Sequence, residues 1–391
     1  MKKDVLNALS GIYPNTIPSK ETLNHPGIIH HVTGIDPFED TPKAFEIAWE
    51  KLGIDIHVAK PRANAKRPTK GVDTWKDGNL RFSPLGIYPT SAWIEYCPHI
   101  PKTDIEWPFQ YDATKDGFLS EDKVGTIPDM EMHATFRPEG GLAGEGNQGT
   151  IRQLREVTSD FNRYFGNKAV QYHIYYTTLF MWPIVKFGWE PFVMAATYNP
   201  EKFNEQLWKP WSEASRKYCE IAATLDSEVI FMHDDIVSGT GPIFPPEFYE
   251  EYIFSRYNYI LDPLVKAGKK IVYVCDGNLD YFLERLLDFP FDALHFENPA
   301  TPFERILETW GKAGKGFIGG ISTELLTNGT PEDVKKHTRK VIEAGRIYPG
   351  FIISSCGGLH GDIPLQNIIA YFETRNEMGI PADLTQNIVI Q

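Results

Sequence analysis

A cysteine ends each of two short apolar runs. Ile271–Val274 leads into Cys275, and Phe351–Ser355 leads into Cys356, with a glycine one or two residues further on. In α/β proteins a β-branched and aromatic run of this kind is typical of a buried parallel strand, whose C-terminal end carries binding and catalytic groups. Two thiols delivered at strand ends are able to share one metal ion.

These thiols predict a zinc site. Thiolate ligands favour zinc among the common divalent ions, and a catalytic zinc has about three protein ligands and one exchangeable position. Cys275, Cys356 and Glu297, which ends a third apolar run, match that number. His295 precedes Glu297 by two residues and faces the same way, either into the site or in a hydrogen-bonded core position. The alternative for both cysteines is burial in the core as small apolar side chains.

The candidate catalytic groups also follow apolar runs. His233-Asp234-Asp235 offers two adjacent carboxyl groups that push each other's pKa apart, which suits proton transfer. An equally good interpretation is that one of the two caps the following turn. Tyr273 shares the face of Cys275 and is either a third catalytic candidate or a core residue.

After residue 150, apolar runs alternate with amphipathic helical segments. Six such units follow that residue and one or two precede it, which predicts an α/β protein with a (β/α)8 (TIM) barrel. All C-terminal strand ends of this fold open on one mouth, so the candidate groups converge there. We predict that residues 150–391 form the main part of the barrel with the metal site. Residues 1–149 are predicted to be an N-terminal elaboration that holds the first barrel units and a cap or insertion.

The charge balance limits the partners. The chain has 52 acidic and 39 basic residues and a net charge of −13, which argues against nucleic acid and against an anionic membrane surface. No apolar window is long enough to cross a bilayer and the first residues lack the apolar core of a secretory signal, so a cytoplasmic location is expected. Four widely spaced cysteines predict no disulfide framework. A small molecule or a protein is the expected partner.

Several segments together carry a family resemblance. They are Asp234-Asp235, Gly241–Tyr249, Cys275–Asn278, Ala293–Glu297, Gly319–Thr323 and Cys356–Gly358 with Pro364 and Asn367, and more weakly Glu21, His25-Pro26 and Thr33–Pro37. With these, the segment from about 187 to 378 resembles the uroporphyrinogen decarboxylase superfamily, and within it the zinc-dependent corrinoid methyltransferase branch. The arginine-rich signature with which the decarboxylase itself binds substrate carboxylates is absent.

The resemblance implies site residues. The methyltransferase branch has a His-x-Cys element on one strand and a second cysteine on a later strand, all ligating zinc, with a carboxylate able to take the fourth position. Matched residue by residue, the cysteines correspond to Cys275 and Cys356 and the carboxylate to Glu297. The histidine corresponds to Tyr273, which leaves three alternatives. A neighbouring acid completes the site, Tyr273 binds the metal as a phenolate, or the site binds metal more weakly than in the relatives.

The resemblance also implies a reaction. A methyl group would pass between a small methylated substrate and the cobalt of a corrinoid (cobalamin) bound to a separate carrier protein, with zinc as Lewis acid on the leaving atom and Asp235 as first proton donor. Aromatic residues such as Trp93 and Trp107 favour an aryl methyl ether, and so O-demethylation. The alternatives are a metal-free decarboxylase of the same superfamily and a non-catalytic barrel. A homo-oligomer is left open.

Overall fold

A computed structural model of the chain describes residues 2–57, 64–65, 148–175, 178–181, 183–184, 189–198, 200–297 and 299–379, together with four two-residue strands between residues 75 and 118. The predicted cap, with Trp93 and Trp107, lies for the most part outside the described residues.

Eight parallel strands close into a barrel. They are β1 (Ser19–Lys20), β2 (Ile56–His57), β3 (Val170–Tyr175), β4 (Val229–His233), β5 (Lys270–Cys275), β6 (Ala293–Phe296), β7 (Gly316–Ile321) and β8 (Phe351–Ser355). Each strand pairs with the next in the chain, and β8 returns to β1 with Lys20 opposite Ser354. The predicted (β/α)8 barrel is therefore confirmed. Short antiparallel pairs join Val237–Ser238 to Gly241–Pro242, Trp75–Lys76 to Asn79–Leu80, and Tyr111–Asp112 to Gly117–Phe118.

Helices alternate with these strands. They are α1 (Lys2–Leu9), α2 (Pro26–Thr33), α3 (Thr41–Leu52), α4 (Gln148–Phe165), α5 (Trp189–Tyr198), α6 (Pro200–Phe203), α7 (Lys209–Ala223), α8 (Pro246–Phe248), α9 (Ser255–Lys266), α10 (Leu283–Leu286), α11 (Phe303–Ile306), α12 (Thr323–Asn328), α13 (Pro331–Gly345) and α14 (Leu365–Gly379). The π-helical turns Asn204–Trp208, Tyr249–Phe254 and Leu307–Gly311 follow α6, α8 and α11, and a 3-10 turn, Asp280–Phe282, precedes α10. No helix in this described part is both long and apolar enough to cross a bilayer.

Local sequence signals set the ends of these helices. The Thr330 hydroxyl accepts a hydrogen bond from the amide of Asp333, whose carboxylate returns the contact, and this capping box starts α13. Helix α3 starts from Asp40, whose side chain accepts from the amide of Lys43, and it ends at Gly53 with a φ of +63°.

The barrel wall separates two apolar layers. One cluster contains side chains of both strands and surrounding helices, so it fills the space between wall and helices. The other contains strand residues and three residues of α1 only, so it fills the barrel interior. Helix α1 contributes Val5, Ala8 and Leu9 to this interior cluster together with residues at the strand starts, and so closes the N-terminal end of the barrel. The opposite, C-terminal mouth is left for the polar groups.

Candidate metal centre

Three potential metal ligands meet where β4 and β5 end. His233 Nε2 lies 3.0 Å from Oδ1 of Asp235 and 4.0 Å from Oδ2 of Asp276. One ligand atom from each of the three lies within 4.8 Å of the others, which is close enough for all three to bind one ion. We call these three residues the metal cluster; no other such group occurs among the residues that the structure describes.

Pairing between the two strand ends holds the cluster. The amide of Asp276 donates to Oδ1 of Asp235 over 2.8 Å, and the amide of Asp234 donates to the carbonyl of Val274 over 3.0 Å. His233 is nearly buried, with 7% of its side chain exposed, whereas the side chains of Asp235 and Asp276 are 23% and 49% exposed. The cluster therefore rests on buried strand ends and opens toward the mouth.

The turn after Asp276 requires glycine. Gly277 has a φ of +90°, and a Cβ at this position would lie 2.8 Å from the backbone carbonyl oxygen of Ser238. Its amide donates to Oε2 of Glu297 over 2.9 Å. This contact brings a further carboxylate, from the end of β6, beside the metal cluster.

The electrostatics of the cluster favour a cation. Burial raises the pKa of the Asp276 carboxyl, and repulsion from Asp235 raises it further, against the attraction of His233. Burial lowers the pKa of His233, but the carboxylates of Asp235 and Asp276 outweigh this effect and raise the pKa above its ordinary value. Both shifts report an excess of negative charge that a divalent cation would neutralise.

Asp234 and Tyr273, two of the predicted catalytic residues, lie behind the cluster between the wall and the helices. Asp234 Oδ1 accepts from the amides of residues 180 and 181 over 3.0 and 2.7 Å, and the Tyr257 hydroxyl donates to its Oδ2 over 2.7 Å. The Tyr273 hydroxyl donates to the backbone carbonyl of Asp234 over 2.9 Å. Burial raises the pKa of Asp234 to about 6. Of the three predicted catalytic residues, the structure brings Asp235 into the cluster and places the other two as its support.

The side chain of Cys275 faces outward from the barrel interior. It is fully buried in the layer between wall and helices, as is Tyr273, and its thiol donates to the carbonyl of Asp276 over 3.2 Å. Because successive strand residues face opposite sides, Asp276 faces the barrel instead. That Cys275 is a metal ligand stays a prediction; its thiol lies outside the metal cluster, to which Asp276 belongs at this strand end.

Cys356 and Glu297 both follow inward-facing strand positions. Ile352 belongs to the interior cluster, and Cys356, four residues later, is on the same side and 3% exposed. Neither Cys356 nor Glu297 falls within the described group of ligand atoms spaced within 4.8 Å. The structure therefore does not assemble Cys275, Cys356 and Glu297 around one point.

Sequence reasoning missed Asp276 as a candidate ligand because the strand before it is apolar on both faces. Val272 and Val274 are as apolar as Ile271 and Tyr273. The strand thus has no alternation of apolar and polar residues that would show which side chains face the barrel interior. Lys20 was also missed. It is buried on β1, and burial lowers its pKa against the opposing charges of Glu21, Asp276 and Cys356.

Fold and site together define a class of protein, a (β/α)8 barrel with an acidic metal cluster at the C-terminal mouth. Residues 188–378 match the profile of the family described as uroporphyrinogen decarboxylase (URO-D). This segment, just under half of the chain, thus matches that family, and the resemblance seen in the sequence is confirmed.

Two similar proteins come from Methanosarcina mazei. The first is a methylated-thiol–coenzyme M methyltransferase, 24% identical over 165 residues, which are 42% of this chain and 42% of that protein. The match thus spans about two fifths of the relative's length. The second is the solved structure of a methyltransferase, with a TM-score of 0.61 and 15% identity over 96% of this chain and 98% of that one. At this identity the structural likeness shows the fold.

Proposed function

We propose that this protein is a methyltransferase that moves a methyl group between a small methylated compound and the cobalt of a corrinoid bound to a separate carrier protein. The observation that carries the proposal is the metal cluster, which lies at the mouth of a barrel of this superfamily. The names of the two similar proteins support methyl transfer. The decarboxylase alternative needs no metal, and so gives no role to a group of three converging ligands.

Zinc is our first candidate for the ion. An imidazole with carboxylates suits borderline ions such as zinc, and a catalytic zinc takes about three protein ligands. His233, Asp235 and Asp276 would hold it, and Cys356 is proposed as a nearby group able to enlarge the ligand set. When bound, the ion would act as a Lewis acid that stabilises the charge developing on the leaving heteroatom.

The side chains around the cluster then have separate tasks. Asp235 is fixed by the amide of Asp276 and by His233, so it needs no reorganisation to keep its position. Glu297, held by the amide of Gly277, is placed beside Asp276, and we assign it the transfer of a proton to the leaving atom. Asp234 and Tyr273 keep the end of β4 in place from behind.

The methyl donor is proposed by class. An aryl methyl ether is the first candidate, from the aromatic residues of the segment 60–149, and its demethylation would release a phenol. A methylated thiol is the second candidate, because one similar protein is named for that substrate. The corrinoid carrier would dock at the C-terminal mouth, where the cluster opens.

Metal analysis with matched variants is the test. We expect about one zinc ion per chain in the wild type and in Cys275→Ala, and at least tenfold weaker zinc binding in Asp276→Ala. Elemental analysis after dialysis against a graded zinc buffer measures both. Zinc lost from Cys275→Ala but kept by Asp276→Ala would restore the thiol site and contradict the ligand assignment.

Activity is then measured by methylation of free cob(I)alamin, followed by its absorbance, with an aryl methyl ether and a methylated thiol as donors. Turnover should stop after chelation and return with zinc. Methyl transfer that persists in the metal-free protein would refute the role of the cluster.

A further inference from the structure

Strands β1 and β8 separate at the mouth of the barrel. Lys20 lies opposite Ser354, and the two chains pair again at Leu23 and Leu359. Between these two pairs, the β1 side has two residues and the β8 side has four, residues 355–358. We call residues 355–358 the β8 bulge. Extra residues of this kind bend a strand and redirect its side chains, and they are common at the rims of barrels.

The β8 bulge contains Cys356 and two glycines. The amide of Cys356 donates to the carbonyl of Ile321 on β7 over 3.0 Å, so this residue stays attached to β7 while the chain leaves β1. Gly357 and Gly358 have φ values of +87° and +85°, and a Cβ at Gly358 would lie 2.8 Å from the Cβ of Thr22. The direction of the Cys356 side chain therefore depends on the point at which β8 leaves β1.

A buried carboxylate lies at this point of separation. Glu21 is 4% exposed and faces α14, where the hydroxyl of Tyr371 donates to its Oε1 over 2.6 Å. The amide of Ser355 lies 3.1 Å from Oε1 and 3.2 Å from Oε2, and the Ser355 hydroxyl also donates to Oε2. The side chain of Glu21 thus ties the last residue of β8 to both β1 and α14.

We propose that Glu21 is the positioning residue for Cys356. By holding Ser355, its carboxylate fixes where the β8 bulge begins, and so fixes the direction of the Cys356 thiol at the mouth. That this thiol then enlarges the ligand set of a metal ion rests on the proposed function. The positioning itself rests only on the contacts of Glu21 and the geometry of the bulge.

Both oxygens of Glu21 accept hydrogen bonds. Burial raises the pKa of this carboxyl, and the hydrogen bonds from Ser355 and Tyr371 oppose the rise. A backbone amide cannot accept a hydrogen bond, so the NH2 group of a glutamine would face the N–H of Ser355 in either orientation of the side chain. Glu21→Gln therefore keeps the volume of the side chain and weakens its link to Ser355.

The first measurement uses the metal-free full-length protein, so it does not depend on the proposed function. Alkylation by iodoacetamide is followed at each cysteine by mass spectrometry of peptides. The fully buried Cys219 of α7 reports opening of the whole fold. Cys356 should react at least about fivefold faster in Glu21→Gln than in the wild type, at an unchanged rate for Cys219, because the bulge opens locally.

Asp4→Asn is the matched control. Asp4 is a buried carboxylate of α1, at the opposite end of the barrel, and it accepts from the amide of Asn15 over 2.9 Å and from the hydroxyl of Thr16 over 3.1 Å. This variant loses a comparable set of contacts far from the bulge. The alkylation rate of Cys356 relative to that of Cys219 should stay at its wild-type value.

Tyr371→Phe gives a second variant, which carries the test if Glu21→Gln does not fold. It removes one donor and leaves the contacts of Ser355, so Cys356 should react about twofold faster. An equal acceleration at Cys219 and Cys356 would make Glu21 a merely structural residue and overturn the proposal. An unchanged rate at Cys356 in both variants would overturn it as well.

Cobalt(II) binding then tests the link to the metal. Charge-transfer absorption between thiolate and cobalt is measured as the difference from Cys356→Ala. It should be present in the wild type and in Asp4→Asn, and cobalt(II) should bind about tenfold more weakly to Glu21→Gln. If the wild type lacks this absorption while the alkylation result holds, the positioning of Cys356 is supported and Cys356 leaves the proposed ligand set.

Discussion

At the scale of single residues, the site depends on which of two neighbours faces the barrel. Cys275 and Asp276 are adjacent, yet one is sealed between wall and helices and the other joins His233 and Asp235. The same rule separates Lys20 from Glu21. To predict a ligand from sequence, one must therefore also predict which side of the strand its side chain faces.

The support given by Tyr273 can be measured separately from chemistry. Tyr273→Phe removes a buried hydrogen bond to a backbone carbonyl and should lower the free energy of unfolding by about 1 kcal/mol. Tyr257→Phe removes a bond to a carboxylate and should cost about 2 kcal/mol. Chemical denaturation measures both losses, and zinc content should not change. If Tyr273→Phe lost turnover at unchanged stability, Tyr273 would act in the chemistry, as the sequence suggested.

At the scale of elements, the turns after the strands position the functional groups. The hairpin Val237–Ser238 with Gly241–Pro242 follows β4 and packs against the turn after β5, where Gly277 approaches Ser238. The amide of Asn278 also donates to the carbonyl of Ser238 over 2.9 Å. Two loops thus fix the direction of Asp276 together.

This close approach predicts the effect of one methyl group. Gly277→Ala combines a disfavoured positive φ with a clash against a backbone oxygen, and should lower the free energy of unfolding by about 2–4 kcal/mol and weaken zinc binding. Gly239→Ala is the control, because a Cβ there meets no atom within 4 Å. Denaturation and metal titration of the two variants are compared. Equal unfolding free energies and zinc affinities of the two variants would mean that the turn at Gly277 can shift without changing the position of the metal cluster.

At the scale of the whole molecule, buried neutral histidines tie stability to pH. His57, at the end of β2, stacks on Trp49 of α3 with 4.3 Å between ring centroids, and burial lowers its pKa to about 3. Burial also lowers the pKa of His173 to about 4. Below pH 6.5 these histidines bind protons in the unfolded chain but stay neutral in the folded protein. The free energy of unfolding therefore decreases as the pH falls from 6.5 toward the lowered pKa values.

A variant isolates one such contribution. Between pH 7.5 and pH 5, the wild type should lose about 2 kcal/mol of unfolding free energy through His57, and His57→Phe should lack this part of the fall. Denaturant titrations at the two pH values measure the difference between wild type and variant. An identical fall in both proteins would show that His57 is protonated in the folded state.

The barrel itself could be predicted from the sequence. Apolar runs such as Ile271–Val274 and Phe351–Ser355 alternate with capped helices. Strands joined by crossover helices form a parallel sheet, so this alternation predicts such a sheet with the functional groups at one end. The same logic placed Asp235, Glu297 and Cys356 near the mouth. It depends only on the order of elements along the chain, which the sequence carries directly.

What the sequence alone determined is thus the order of the strands and the end at which chemistry occurs. Only the tertiary structure decided which side chains meet. Barrel strands are buried on both faces, so the residues that face the interior are as apolar as those that face the helices. The sequence therefore did not show whether Cys275 or Asp276 faces the interior. Lys20 and His295 are 275 residues apart and meet only because β8 closes onto β1. Such a contact depends on the register of every strand between them, which no local pattern encodes.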